Sequence, residues 1–313
     1  MKITILFLLF ISSILVSLLI GPVLLSPFDL FKNEILARTV LNLRLTRTIL
    51  GIIGGGMLAG CGVFLQGLLN NPLVEPYTLG TASGAALGSA FSILLFNYIN
   101  PFFAFLGAIF SLITVYLFSK IDGRLNRERL ILSGVVLSFL CSSLVMILMV
   151  LAGKELNEII YLLMGNLNIV LTLNLLPYYT ILILIIFGFL IILYLHSWEL
   201  DIIASGVDTA RSLGVNTEKL FALIFVLVSL IIAVIVSIIG AIGFVGLIIP
   251  HITRKIYGSA HRTVVPAAFL FGASFLLLAD TLSRVLTPVE LPVGTVTSLI
   301  GVPFFLFLQA RQR

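Results

Sequence analysis

The chain has 313 residues, of which 60% are hydrophobic and only 10% charged, and its mean hydropathy is +1.24. A soluble domain of this size carries about 25% charged residues, so a water-facing surface is excluded over most of the chain and lipid is its solvent. The net charge of +5 comes from cations scattered between apolar runs, which points to membrane orientation and away from nucleic acid.

The opening MKITILFLLFISSILVSLLIGPVLLSP imitates a signal peptide. Its apolar core exceeds the about 7–15 residues of such a region, and no small-x-small cleavage site follows. Ile3–Leu25 is long enough for a bilayer that needs about 20 residues, and we read it as a retained first span. Thr48–Val74 is the second span, ending near LLNNP. Cys61 lies in it and Cys141 in a later apolar run, so both cysteines read as small buried hydrophobes. Pro76–Ser119 is uncharged over about twice the length one span needs, and NYINP at 97–101 divides it into the third and fourth. Leu130–Gly153 is the fifth. Ile159–Trp198 starts with a polar-flecked stretch and holds the sixth from Leu175 to Leu195. Leu220–Thr253, broken near Gly240 and Gly243, gives a seventh and a short, irregular eighth. Thr263–Ala279 and Leu291–Ala310 bring the total to ten. The expectation is an all-α polytopic membrane protein, a single transmembrane domain over 1–313.

Ten spans put both ends on one side, and Lys and Arg in short loops choose that side. Twelve, among them Lys2, Arg127, Arg129, Arg211, Lys219, Arg254 and Arg313, share the side of the termini; Lys32, Arg38, Arg44, Arg47, Lys154 and Arg284 are the six on the other. Both termini are therefore expected in the cytoplasm, with the protein in the cell's inner (plasma) membrane. Arg38, Arg44 and Arg47 crowd into one outer loop, against that bias. They either snorkel to headgroups or form a patch for an acidic partner.

No catalytic constellation emerges. His196, His251 and His261 have no Cys or carboxylate at metal-ligand spacing, so no metal or cofactor is expected. The phosphate-cradling G-x-x-x-x-G-K-[ST] is missing too, since Gly153-Lys154 lacks both the earlier glycine and the following hydroxyl. Energy for transport then comes from an ion gradient or from a separate ATPase. Asp280 is the one ionisable candidate inside an apolar run for ion coupling. Arg284, four residues on, lies on the same helical face, which favours a structural ion pair near the outer surface.

In GAIGFVGLIIPHITRKIYG (240–258), Gly240, Gly243 and Gly246 permit close helix approach in lipid, Pro250 removes a backbone donor, and His251, Arg254 and Lys255 emerge at an interface. Pro72 and Pro76 in NNPLVEP (70–76) end helices. In GVDTARSLGVNTEKL (206–220), Asp208 or Thr209 is positioned to cap a short helix through Leu213, which Gly214 ends.

Together with LRLTR (43–47), the block GGGMLAGCGVFLQGLLNNPLVEPYTLGTASGAALG (54–88), ILSGVVLS (131–138), YLLMGNL (161–167) and LPVGTVTSLIGVPFFLFLQ (291–309), these stretches resemble the FecCD-type permeases. Those are membrane subunits of ABC importers for iron chelates, haem and cobalamin. The one departure is Thr46, where the family has proline. The resemblance implies a ten-helix permease fold and a second permease subunit, in a homodimer. It also implies cytoplasmic ABC ATPase subunits and an extracytoplasmic substrate-binding protein. It maps a cytoplasmic gate onto Asn71 and Leu73. A coupling loop at 197–219 presses Asp208, Ala210, Arg211, Leu213 and Gly214 into the ATPase cleft. Binding-protein docking falls to Arg44, Arg47 and Arg284. A ferric siderophore is the expected cargo; an ion-coupled carrier using Asp280 is the alternative, and a non-transporting membrane anchor a third.

Overall fold

The computed structural model describes residues 2–21, 35–96, 100–121, 124–168 and 176–311. The end of the expected first span, Lys32, part of the NYINP turn and Arg313 lie outside them. Among the described residues, thirteen α-helices run in chain order: α1 (Lys2–Leu19), α2 (Ile35–Leu69), α3 (Thr81–Phe96), α4 (Pro101–Phe118), α5 (Arg127–Leu151), α6 (Leu156–Met164), α7 (Leu176–Leu195), α8 (Ser197–Ala204), α9 (Val207–Ser212), α10 (Thr217–Ile239), α11 (Val245–Tyr257), α12 (His261–Val285) and α13 (Val293–Arg311). Six of them, α2, α4, α5, α7, α10 and α12, are long and apolar enough to cross a membrane, and α1, α3 and α13 contain shorter apolar stretches. With α11, each of the ten expected spans has its helix.

Polar side chains mark where helices start. Asn100, Asn126 and Asn216 each accept a backbone N–H of the first turn of α4, α5 and α10, which satisfies one donor that the helix leaves free. Two spans are longer than their apolar runs. α2 already begins at Ile35, so Arg38, Arg44 and Arg47 belong to a helix and not to the expected loop. α12 runs past Ala279 to Val285 and carries Asp280 and Arg284. α6 and α8 were not anticipated, and Lys120–Ile121 and Arg124–Leu125 form a two-residue antiparallel ladder pairing Lys120 with Leu125.

α2 and α10 are the centre of the bundle. Their most apolar stretches are 83% and 78% buried, against 22% for each of α4, α5 and α7. α12 packs antiparallel along α2, with Gly67 opposite His261, Gly55 opposite Gly272 and Arg47 opposite Asp280. The contact is close because glycines remove the side chains between the backbones. A Cβ on Gly55 would strike the carbonyl of Gly272, and one on Gly62 the carbonyl of Gly246 in α11. Gly62→Val should therefore lower stability by about 1–3 kcal/mol or more, read from thermal unfolding in detergent. Gly188 of α7 has no atom near its missing Cβ, so Gly188→Ala should leave stability unchanged or raise it by up to about 1 kcal/mol.

Candidate functional site

The polypeptide leaves helical geometry between α10 and α11, at Gly240–Phe244. Gly240 (φ 73°) and Phe244 (φ 69°) lie in the left-handed region, a cost of about 1–3 kcal/mol for a non-glycine such as Phe244. Gly246, just beyond, packs on Leu58 and Gly62 in the last third of α2, among apolar helices where a freed amide needs a partner from the protein. Four of the backbone groups at the break are satisfied by residues of two other segments, 75–77 and 162–166. The Ile239 carbonyl accepts the Asn166 N–H at 2.9 Å, and the Ala241 N–H reaches the Leu162 carbonyl at 3.1 Å. Tyr77 Oη accepts the Ile242 N–H at 2.8 Å, and the Glu75 carboxylate accepts that of Phe244. Gly165 O accepts Val293 N–H at 3.1 Å, so the start of α13 joins the same knot.

Pro250 continues this pattern inside α11. It has no N–H to give the Gly246 carbonyl one turn back. Gln66 Nε2 supplies the missing donor, 3.3 Å from Gly246 O and 3.3 Å from Leu247 O. The amide is oriented by Arg254, whose Nη1 donates to Gln66 Oε1 at 2.6 Å while Nη2 donates to Val63 O at 2.9 Å. His251, the residue after Pro250, is half-buried on α11.

Two cavities open beside the break. One, of about 760 Å³, is bounded by Met164, Ala241, Gly243, Thr295, Ser298 and Val302. The other, of about 500 Å³, is bounded by Ser83, Ser138, Ser142, Met146 and Met149. Tyr77, Leu163 and Ala241 line both, and among the described residues neither has a charged lining residue. These are the dimensions of small-molecule sites, and their walls offer hydroxyls, thioethers and apolar surface only. Among the described residues no group of three or more His, Cys, Asp or Glu is placed to hold a metal ion.

The expected gate residues follow the end of α2. Asn70 turns the backbone at φ 49°, and Asn71 Oδ1 accepts the Leu73 N–H at 2.9 Å. That turn leaves the Leu73 side chain 57% exposed on the subunit surface. In the expected coupling loop, α9 starts just after its N-cap Gly206, whose φ of 130° no other residue adopts easily. Asp208 and Thr209 are thus inside the helix and do not cap it. Asp208 is fully exposed and pairs with Arg211 at 3.8 Å. The end is as expected: Gly214 N–H bonds Arg211 O and Val215 N–H bonds Ala210 O, with Gly214 at φ 84°, the paired bonds of a glycine-terminated helix. Ala210 is buried beneath, and Leu213 projects outward.

At the far end of the α2–α12 pair, Arg44, Arg47 and Arg284 are all buried, not presented as the surface cations expected. Arg47 donates from Nε and Nη2 to Asp280 at 3.1 and 2.9 Å and from Nη1 to Glu290 at 2.9 Å. Arg284 pairs with Asp280 at 3.1 Å and donates to the Ser17 carbonyl at 3.2 Å. Arg44 donates to the Leu18 and Leu19 carbonyls at 2.9 and 3.1 Å, capping the end of α1 with a cation. The physical reason is dielectric: a guanidinium unpaired among apolar helices is costly, so the helices bring it carboxylates and carbonyls. Asp280, fully buried between two arginines, is a structural ion, as its spacing from Arg284 suggested.

Sequence reading singled out Asn71, Leu73 and Pro250 but passed over Glu75, Tyr77 and Gln66, which hold the break. The available signal was an acid and an amide inside otherwise uncharged blocks. Glu75→Ala strands the Phe244 amide and should cost about 1–3 kcal/mol of stability, whereas Glu75→Gln, which keeps an acceptor oxygen, should lose much less. Thermal unfolding of both variants in detergent checks this. Asp280→Ala leaves buried arginines uncompensated and should cost about 3–5 kcal/mol in the same assay.

A model of the FecCD transport family matches residues 8–311. The chain is 37% identical over 273 residues to the cobalamin import system permease protein BtuC of Halobacterium salinarum, covering 85% of this chain and 72% of that protein. It is 34% identical over 293 residues to the hemin transport system permease protein HmuU of Yersinia pestis, covering 90% and 86%. A solved structure, described as an inward-facing conformation of a metal-chelate type ABC transporter, matches with a TM-score of 0.84 and 33% identity over 98% of this chain and 97% of that one. Helix order, the knot of motif blocks around the break, and these likenesses agree: the chain belongs to the FecCD transport family.

Proposed function

We propose that this chain is the transmembrane subunit of a binding-protein-dependent ABC importer that carries a metal chelate, a ferric siderophore in the first instance, across the inner (plasma) membrane. Two copies enclose the pathway, and both termini of each face the cytoplasm. The observation that carries the cargo class is the uncharged lining of the two cavities at the break. Such a wall has no ligands for a bare metal ion and no cation for a free oxyanion. It suits a bulky complex whose organic shell covers the metal, touched weakly and passed on. Relatives that handle cobalamin and hemin support the same class.

Energy enters from separate ATPase subunits, because the sequence has no phosphate-cradling motif. The α8–α9 element is the coupling surface: Ala210 anchors it, and Leu213, 65% exposed, is the apolar tip for an ATPase cleft. Asn71 and Leu73 of the two copies close the inner end of the pathway. The end bearing Arg44, Arg47 and Arg284 receives the binding protein, with the half-exposed Glu290 on its rim. The arginines serve there as the fasteners of α1, α2 and α12. Transport is alternating access, in which ATP binding reorients the helices so that the two gates are never open together.

Reconstitution with the cognate ATPase and binding protein in proteoliposomes tests this. Uptake of ferric siderophore should require ATP and be indifferent to a pH gradient. Uptake driven by the gradient without ATP would overturn the reading. Leu213→Asp should abolish uptake or ATPase attachment while membrane insertion persists. Cysteines at Asn71 or Leu73 should cross-link between copies in the inward-closed state.

A further inference from the structure

The ion pair between Asp201 of α8 and His261 at the start of α12 lies away from the break and from both cavities. The Asp201 carboxylate accepts the His261 backbone N–H at 3.0 Å from one oxygen and 3.3 Å from the other. The same carboxylate holds the imidazole at Nδ1. One acid thus caps a 25-residue helix and grips its first side chain. The other edge of the ring meets α2: a Cβ on Gly67 would collide with Nε2. Nε2 is buried with no hydrogen-bond partner, so the ring is clamped by shape on that side and by charge on the other.

The neighbour of Gly67 is Gln66, on which α11 and the 71–74 segment converge. Arg254 of α11 donates to its Oε1 at 2.6 Å. Its Nε2 lies 3.4 Å from the Val74 carbonyl. Its own carbonyl accepts the Asn71 N–H at 3.1 Å. Within one turn of α2, the structure therefore brings together α8, α12, α11 and both ends of the 71–74 segment. The links are polar bonds and close packing contacts, most of them buried, and a packed region shifts as a body and does not flow.

We propose that Asp201 and His261 are positioning residues that transmit displacement of the α8–α9 element to the Asn71–Val74 segment through Gly67 and Gln66. The role of α8–α9 as the coupling surface is taken from the function proposed above. The link between the two segments is a property of this chain alone.

Hydrogen exchange of the full-length chain in lipid nanodiscs tests it without cargo or ATPase. Asp201→Ala should speed exchange of the Asn71, Leu73 and Val74 amides by about tenfold, the scale of a coupling energy near 1–1.5 kcal/mol. Asp201→Asn keeps an acceptor for both the backbone N–H and Nδ1–H and should stay within about threefold of the parent. Glu199→Gln, on α8 but outside the joint, should leave those amides unchanged. If Asp201→Ala loosens α8 alone and 71–74 exchanges as before, the proposal is overturned. Should Asp201→Ala fail to fold, His261→Ala, which preserves the backbone cap, carries the same expectation. In the assembled transporter, Asp201→Ala should retain ATPase attachment yet lose the nucleotide dependence of cysteine cross-linking at Leu73; retained dependence also overturns the proposal. Absence of ATP-dependent uptake in the parent would sink the importer reading instead, and leave the exchange result to stand or fall by itself.

Discussion

A backbone amide in the hydrocarbon layer has no water to bond, so any departure from helix at that depth must be satisfied by protein. The Gly240–Phe244 break is such a departure, and the rest of the architecture is arranged around it. Leu162 and Asn166 meet its first half, Tyr77 and Glu75 its second, and Gln66 completes the carbonyl that Pro250 strands downstream. The short helix α6, the turn after α2 and the start of α13 have their positions fixed because they supply or receive these bonds. The two cavities are what remains beside the knot once these segments have converged.

Charge obeys the same constraint. At one end of the α2–α12 pair, Asp280 and Glu290 pair with Arg47 and Arg284, and Arg44 caps α1. At the other, Asp201, His261, Arg254 and Gln66 tie α8, α11 and α12 to α2. Between these two polar fasteners the helices touch through glycine, with nothing polar exchanged. The pair is thus a rigid strut with ionic ends, while α4, α5 and α7, packed far less fully, offer their faces to lipid or to a partner subunit. A transporter needs such a division: a stiff centre that transmits displacement, and lightly packed walls that move relative to it.

The cavity walls complete that logic. On the proposed function, a strongly binding site would hold a bulky chelate at one point of the cycle, whereas neutral walls of Ser, Thr, Met and Tyr leave passage to be set by the shape of the pathway. Selection then falls to whatever delivers the cargo.

The amino-acid sequence by itself determined the solvent, the ten helices and their approximate limits, since transfer of apolar side chains into lipid is a sum over residues and needs no knowledge of neighbours. It also located the break, because Gly240, Gly243 and Pro250 disfavour helix locally. It placed the end of α9, where Gly214 alone adopts the required φ. Helix limits failed at Arg44 and Arg47, which sequence assigned to a loop, and the same residues were expected at the surface. The burial of Arg47 depends on Asp280 and Glu290, more than two hundred positions away, and that of Arg44 on the carbonyls at the end of α1. Glu75, Tyr77, Gln66 and Asp201 were passed over for the same reason. The partner of each is a backbone or side-chain group brought near only by packing, and hydrogen bonding in a low dielectric is decided by geometry at the ångström scale. The tertiary structure alone decided which buried charges are neutralised, which broken amides are satisfied, and where a cavity is left between them.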